Sequence, residues 1–159
     1  MSSSSTSIQI RPIEPTDKAI WSNLWDQYNT FYKRTIPSEV TEATFARFLD
    51  PSNPISGVVA VKKTHNDNDK GNVIGFATYY PHDSTASIKP NVYLHDLFVD
   101  PACRAGGVGE KLIEDVAERA RELGGFQLYW HTQYFNYRAQ GLYAKVGERS
   151  DFVMWKKGL

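Results

Sequence analysis

The stretch from residue 91 to residue 125, NVYLHDLFVDPACRAGGVGEKLIEDVAERARELGG, decides the fold. Residues 91–99 are rich in valine, leucine and aromatic side chains, which predicts a β-strand. Apolar residues then recur at helical spacing, and a pair of glycines ends the helix; they are Leu112, Ile113, Val116, Ala117, Ala120, Leu123 and then Gly124 and Gly125. The stretch therefore predicts a strand, a glycine-rich loop and an amphipathic helix, in that order.

The loop at residues 104–109 carries the strongest functional signal. Glycines at a strand-to-helix turn allow backbone dihedrals that a Cβ would forbid, and they let a ligand approach the backbone closely. The N–H groups of the first helical turn lack partners within the helix, so they form a site for an anion, most naturally a phosphate. Arg104 would add a positive charge beside them. The alternative is a glycine-rich turn that binds nothing.

Two other phosphate-binding patterns do not fit this loop. A P-loop requires lysine and then serine or threonine after its last glycine, whereas Gly109 is followed by Glu110. A dinucleotide-binding fingerprint, G-x-G-x-x-G, would require glycine at Leu112.

The rest of the chain predicts a single domain at residues 8–159 after a disordered, serine-rich tail at residues 1–7. Hydrophobic periodicity and turn signals give the remaining elements. The predicted strands are 8–13, 57–63, 72–80, 126–130 and 152–155; a polar loop at 64–71 joins the second to the third, and the predicted helices are 16–32, 41–49 and 135–146.

Composition excludes several classes of protein. Eighteen basic residues balance eighteen acidic ones, so the large positive excess of a generic nucleic-acid or membrane-surface binder is absent. No run of about 20 apolar residues predicts a membrane span. Cys103 is the only cysteine, which favours a reducing compartment. We therefore expect the protein in the cytoplasm and also in the nucleus. His65, His82 and His131 show no metal-ligand spacing with one another, so we expect no metal.

Two motifs in order resemble those of the GNAT superfamily of N-acetyltransferases. Residues 99–113, with Arg104-x-x-Gly107-x-Gly109, resemble the acetyl-CoA loop of that family, although Ala105 followed by Gly106 departs from its usual form. Residues 136–147 resemble its second motif, Asn-x-x-Ala-x-x-Leu-Tyr-x-Lys-x-Gly. Within the superfamily, residues 93–100, residues 47–51 and Asn136-x-Arg138-Ala139-Gln140 are most similar to the small fungal histone and D-amino-acid acetyltransferases.

The resemblance implies a fold, a cofactor and an activity. The fold would be an α/β one, with a central twisted mixed sheet splayed at the cofactor site and helices on both faces. The chain would move acetyl from acetyl-CoA to a primary amine by direct transfer in a ternary complex, without a covalent enzyme intermediate at Cys103. The cofactor would be held by the loop, by strand backbone and by the start of the later helix; these residues are Arg104, Ala105, Gly106, Gly107, Val108, Gly109, Leu97, Phe98, Val99, Asn136 and Tyr143.

Two side chains are candidates for proton transfer. The resemblance assigns Tyr143 as the donor to the leaving coenzyme A thiolate; the alternative is a core tyrosine. His95 is the candidate base, because an unperturbed pKa of about 6.5 leaves it largely neutral at pH 7. Strand alternation places His95 and Asp96 on opposite faces, so we expect no pair between them. A solvent-facing histidine, with deprotonation through water, is the alternative.

The resemblance places the acceptor under the first two helices. Candidate pocket residues are Tyr28, Phe31, Tyr32 and Trp130, and Lys33 or Arg34 could pair with the carboxylate of an amino acid. We expect a small-molecule amine, such as an amino acid, as acceptor. A histone-type lysine acetyltransferase and a non-catalytic acyl-CoA-binding regulatory domain are the alternatives. The apolar, β-prone residues 152–155 further predict a homo-oligomer, most simply a dimer.

Overall fold

The computed structural model of the protein describes residues 6–64 and 70–159. Its strands are β1 (Ser7–Pro12), β2 (Ser56–Lys63), β3 (Asn72–His82), β4 (Asn91–Val99) and β5 (Gln127–Tyr129). Its helices are α1 (Lys18–Phe31), α2 (Ser38–Leu49), α3 (Val108–Glu122) and α4 (Tyr137–Val146). Most predicted elements are therefore present, with ends that differ by a few residues.

The five strands form one mixed sheet, as the resemblance implied, and their order in it is β1-β2-β3-β4-β5. The first four strands pair antiparallel, and β5 pairs parallel to β4. That parallel pairing spans only Asn91–Tyr93 of β4, opposite Gln127–Tyr129. Because β4 continues to Val99 without a partner on that side among the described residues, the sheet is splayed open between β4 and β5.

Helices cover both faces of the sheet and give two apolar clusters. On one face, α3 and α4 pack over the sheet; the core here includes Val92, Leu94, Leu112, Ile113 and Val116. On the other face, an aromatic core joins α1 and α2 to the strands; it includes Trp21, Trp25, Tyr28, Phe45, Phe76 and Phe98. Trp21 stacks on Trp25 with ring centroids 5.4 Å apart. The aromatic stripe predicted on the first helix is thus largely core.

Three predictions about the ends of elements need correction. Ser7, placed in the disordered tail, is the first residue of β1 and pairs with Lys63, while residues 1–5 lie outside the described residues, as do residues 65–69 of the predicted polar loop. The helix predicted to begin at residue 16 is preceded by a short 3-10 turn at Pro15–Asp17, which Glu14 caps, and α1 begins at Lys18. Residues 152–155 form no strand, because no strand of the described chain lies beside them to pair with.

Candidate active site

Two consecutive glycines shape the loop before α3. Gly106 has φ +107° and Gly107 has φ +70°, both in the region that favours glycine. A Cβ added at either position would meet nothing within 4 Å, so backbone conformation rather than crowding requires these glycines. The space outside the loop is open to a ligand. Since α3 begins directly afterwards, at Val108, the N–H groups of its first turn lie beside that space, an arrangement that suits an anion.

Gly109 has a different role from its two neighbours. A Cβ at Gly109 would lie 3.0 Å from Cδ2 of Leu142, which belongs to α4. The missing side chain therefore lets α4 approach α3 closely. The sequence analysis treated the three glycines as one loop feature, but the third allows the packing of α4 against the start of α3.

Two arginines concentrate positive charge at the loop. Burial, and then the neighbouring charge of Arg138, lower the pKa of the Arg104 guanidinium. Arg104 lies over the Phe98 ring, 5.8 Å from its centroid, and its Nε donates to the Val99 carbonyl at 3.2 Å. An anion beside the loop would relieve the repulsion between the two cations. Together with the unpaired edge of β4 at residues 97–99, the region fits an extended ligand that carries phosphates.

Helix α4 places Tyr143 on the same side of the sheet as α3. Burial, and then the proximity of Tyr32, raise the pKa of Tyr143 to about 12, so the phenol keeps its proton at neutral pH. Trp130, predicted in the acceptor pocket, packs edge-on against Tyr143 at 5.5 Å between ring centroids. Asn136, predicted to touch the cofactor, caps α4 by accepting from the Ala139 N–H at 3.4 Å.

A β-bulge brings His95 and Asp96 together, contrary to the prediction of opposite faces. The register between β3 and β4 shifts so that Thr78 lies opposite Asp96 and Tyr79 opposite Leu94, which leaves His95 as the extra residue. Nδ1 of His95 consequently lies 3.2 Å from Oδ1 of Asp96. The interaction with Asp96 raises the pKa of His95, and burial opposes it. The half-exposed histidine is thus paired with a carboxylate.

Asp96 is a buried carboxylate with hydrogen-bonding capacity to spare. The residue is only 4% exposed, and the Tyr28 hydroxyl donates to it. Burial, and then Asp96, raise the pKa of that hydroxyl. Among the described residues, neither Oδ1 of Asp96 nor Oγ1 of Thr78 across the strand pair has a well-aligned hydrogen-bond partner. A positively charged donor such as an ammonium group would satisfy Asp96.

The four predicted acceptor residues occupy three places around this centre. Tyr28 and Tyr32 pack edge-to-face at 4.9 Å between ring centroids, next to Asp96. Phe31 lines a separate cavity of about 440 Å³ between α1 and the loop, together with Asp26 and Arg104. Trp130 lies behind Tyr143. The proximity of Tyr32 to Tyr143 joins the Asp96 side of the site to the loop side.

The spacing of apolar residues on β4 contains the signal that reveals Asp96. Val92, Leu94, Leu97 and Val99 all pack on the α3 side of the sheet. The step between them changes from two residues to three after Leu94, and that break marks a bulge. The break places both His95 and Asp96 on the opposite face, where α1 lies.

The part of the chain that the structure describes holds no group of metal ligands and no membrane-spanning helix. Within residues 6–64 and 70–159, no three His, Cys, Asp or Glu side chains are grouped as metal ligands. Nor does this part of the chain contain a helix long and apolar enough to cross a membrane. Cys103 is half-buried and packs against the core beneath α3.

Comparison with known proteins gives consistent matches over most of the chain. Residues 19–147 match the family described as "Acetyltransferase (GNAT) family". The chain is 43% identical over 150 residues to D-amino-acid N-acetyltransferase HPA3 of Saccharomyces cerevisiae, covering 94% of this chain and 90% of the yeast protein. It is 40% identical over 75 residues to thialysine N-epsilon-acetyltransferase of Bos taurus, covering 47% of this chain and 44% of the bovine one.

Solved structures share the fold at lower sequence identity. The structure of aminoglycoside N-acetyltransferase AAC(6')-Iy in complex with CoA matches with a TM-score of 0.82 and 22% identity, covering 99% of each chain. A probable acetyltransferase matches with a TM-score of 0.80 and 22% identity, covering 95% of this chain and 97% of the other. At this identity the likeness concerns the fold alone.

Proposed function

The chain belongs to the GNAT family of acetyltransferases, and we propose that it moves acetyl from acetyl-CoA directly onto the primary amine of a free amino acid. The observation that carries the acceptor class is Asp96, a buried carboxylate between His95 and Tyr28 whose Oδ1 lies 3.2 Å from His95 Nδ1 but has no well-aligned hydrogen bond among the described residues. A single carboxylate flanked by the aromatic side chains of Tyr28 and Tyr32 suits an acceptor with a single ammonium group. The yeast relative is named for transfer to D-amino acids, which supports this class.

Acetyl-CoA, when bound, supplies the acetyl group as a thioester that an amine can attack. The residues that would hold it are those of the glycine loop and its surroundings. The N–H groups at the start of α3, with Arg104 and Arg138 beside them, suit its phosphates. The open edge of β4 at residues 97–99 suits hydrogen bonding to its extended arm.

Asp96 and His95 would prepare the amine. An amine attacks only when neutral, so its ammonium form must lose a proton. Asp96 holds the ammonium by charge, and His95 takes the proton at Nε2, because its Nδ1 faces Asp96. The histidine can do so only in its neutral form, which the carboxylate disfavours. This route therefore operates best on the alkaline side of the ordinary histidine pKa.

Tyr143 would be the proton donor to the sulfur that leaves the reacting carbonyl group. Its raised pKa keeps Oη protonated, as a donor must be. The departing sulfur has a thiol pKa of about 8.5, so complete transfer from a phenol near 12 is uphill by roughly 5 kcal/mol. Tyr143 therefore acts chiefly as a hydrogen-bond donor that stabilises charge developing on sulfur.

A panel of acceptors tests the proposed function. The purified protein is supplied with acetyl-CoA and, in separate reactions, with D- and L-amino acids, spermidine or a histone H3 tail peptide, and free coenzyme A is measured. We expect kcat/KM for some amino acid to exceed that for the polyamine and the peptide by at least about tenfold. A faster reaction with the peptide would favour a protein acetyltransferase. Tight binding of acetyl-CoA without turnover on any acceptor would favour a regulatory domain.

We also propose that the protein is a homodimer. The four consecutive apolar side chains from Phe152 to Trp155 are all strongly exposed, and the outer edge of β5 has no neighbouring strand among the described residues. A second copy could cover both features.

A further inference from the structure

A sharp turn after α1 returns Arg34 to the aromatic face of that helix. Lys33 adopts the left-handed conformation, with φ +54°. The Lys33 N–H donates to the Thr30 carbonyl at 3.0 Å, and the Arg34 N–H donates to the Asn29 carbonyl at 3.1 Å. The chain therefore reverses within two residues, and the Arg34 side chain lies back along the helix.

The Arg34 guanidinium is held in place before any ligand arrives. Its Cζ lies 5.3 Å from the ring centroids of Tyr28 and Tyr32 and 5.9 Å from that of Trp25. Its Nε donates to Oδ1 of Asn29 at 2.6 Å. Asn29 is itself only 4% exposed and is anchored by donating from Nδ2 to the Trp25 carbonyl at 2.9 Å. Such support lowers the entropy cost of binding a ligand.

The positive charge of Arg34 is not neutralised by the described part of the chain. No aspartate or glutamate in residues 6–64 and 70–159 forms an ion pair with it. Its terminal Nη groups donate to no residue in those ranges, since its side chain donates only from Nε. The side chain is exposed. A planar guanidinium with free Nη groups suits two parallel hydrogen bonds to a carboxylate.

Tyr28 connects Arg34 to the place where the amine is expected. Its ring carries the Arg34 guanidinium, and its hydroxyl donates to Asp96. The charge of Arg34 also acts on His95, so the cation lies within electrostatic reach of the reaction centre. A cation and a buried carboxylate therefore contact the same tyrosine side chain, one at its ring and the other at its hydroxyl. An α-amino acid carries its ammonium and its carboxylate on one carbon, so it offers one charged group to each of these two neighbouring residues.

We propose that Arg34 binds the α-carboxylate of the acceptor while Asp96 holds its amine. This inference rests on the proposed function and adds the residue that selects the acceptor. A polyamine has no carboxylate for Arg34, and a lysine within a peptide has its α-carboxyl group tied in an amide. Arg34 would therefore favour free amino acids over both.

A paired-substrate experiment tests Arg34. Acetylation of D-leucine and of D-leucinamide, which keeps the amine but lacks the carboxylate, is measured for the wild type, Arg34→Gln and Arg34→Lys. Losing a bidentate, charge-assisted contact should lower kcat/KM for D-leucine by roughly 10- to 100-fold, mainly through KM, and leave the value for the amide within about twofold. The kcat/KM of Arg34→Lys for D-leucine should lie between the values for the wild type and Arg34→Gln. Arg47→Gln, which removes an exposed arginine from α2, is the matched control and should leave kcat/KM for both substrates unchanged.

The outcomes separate the two proposals. If the ratio of kcat/KM for the acid to that for the amide is the same in Arg34→Gln as in the wild type, Arg34 does not bind the carboxylate. The acetyltransferase proposal then still stands. If the wild type acetylates neither compound nor any other free amino acid, the acceptor class is wrong and this inference fails with it. Comparing ratios between variants cancels the difference in intrinsic reactivity of the two amines.

Discussion

The hydroxyl of Tyr143 is the single group whose removal should most directly slow the chemical step. Tyr143→Phe keeps the ring that packs against Trp130, so the fold should survive. Losing one hydrogen bond to a developing charge should lower kcat by roughly 10- to 100-fold, with KM for acetyl-CoA nearly unchanged. Single-turnover kinetics on the folded variant would measure this.

Tyr137→Phe provides the matched control, because it removes an exposed hydroxyl from the same helix. It should leave the rate within about twofold of wild type. A Tyr143→Phe rate equally close to wild type would show that Tyr143 is a packing residue.

Gly107 offers a test of the loop that separates charge from conformation. Asn and Asp both tolerate its φ of +70° better than other side chains do, and they differ chiefly in charge. If phosphates lie at the start of α3, Gly107→Asp should weaken acetyl-CoA binding by roughly 10- to 100-fold relative to Gly107→Asn. Isothermal titration calorimetry on both folded variants gives the comparison. Equal affinities would mean that the phosphates bind elsewhere.

At the scale of the element, the bulge in β4 sets the pH response of the site. Asp96 raises the pKa of His95, so a rate that needs neutral His95 should fall, as pH is lowered, at a pH above the ordinary histidine value of about 6.5. Asp96→Asn removes the group that favours the imidazolium, and the acid limb of kcat/KM should move to lower pH. His95→Gln should abolish that limb.

The acceptor amine titrates in all three proteins, so its own contribution to the profile is common to them. Profiles measured over the same pH range therefore isolate the histidine. An acid limb that stays in place in Asp96→Asn, or that persists in His95→Gln, would show that His95 is not the base and that water accepts the proton.

The elements themselves were largely predictable, whereas the bulge was missed. Helix and strand positions could be predicted from periodicity, because an element that buries one face carries apolar residues at the period of that element. The rule of strict alternation, applied through residues 94–97, separated His95 from Asp96 and was wrong. The sequence did contain the signal, because the spacing of apolar residues on β4 changes from two to three residues between Leu94 and Leu97. Contacts such as that of Tyr28 with Asp96 depend on how α1 lies across the sheet, which local pattern does not determine.

For the whole molecule, two motifs on successive strand–helix units predicted the family and the fold, and both are confirmed. They succeeded because each motif reflects a backbone requirement, such as the positive φ of Gly107. The sequence named Lys33 or Arg34 as a partner for a carboxylate but gave no reason to choose between them. The role of Arg34 as a candidate ligand depends on the turn at Lys33 and on three rings that the helix brings together.

The segment at residues 152–155 supports a prediction about assembly. Phe152 is 94% exposed and Trp155 is 90% exposed, with Val153 and Met154 at 75% and 67% between them. A contiguous apolar surface of this kind is typical of an interface, and a β-prone segment gains most by pairing with a strand. We therefore expect the protein to have twice the 18.0 kDa chain mass when measured by light scattering at micromolar concentration.

Substitution can show whether this segment forms the contact. Phe152→Ser combined with Trp155→Ser removes two large apolar side chains that are almost fully exposed, so the monomer fold should persist while the mass falls to that of one chain. Ile88→Ser removes an equally exposed apolar side chain from the loop between β3 and β4 and should leave the dimer intact. A wild-type mass of one chain would reject the dimer. A dimer that survives the double substitution would place the interface elsewhere on the molecule.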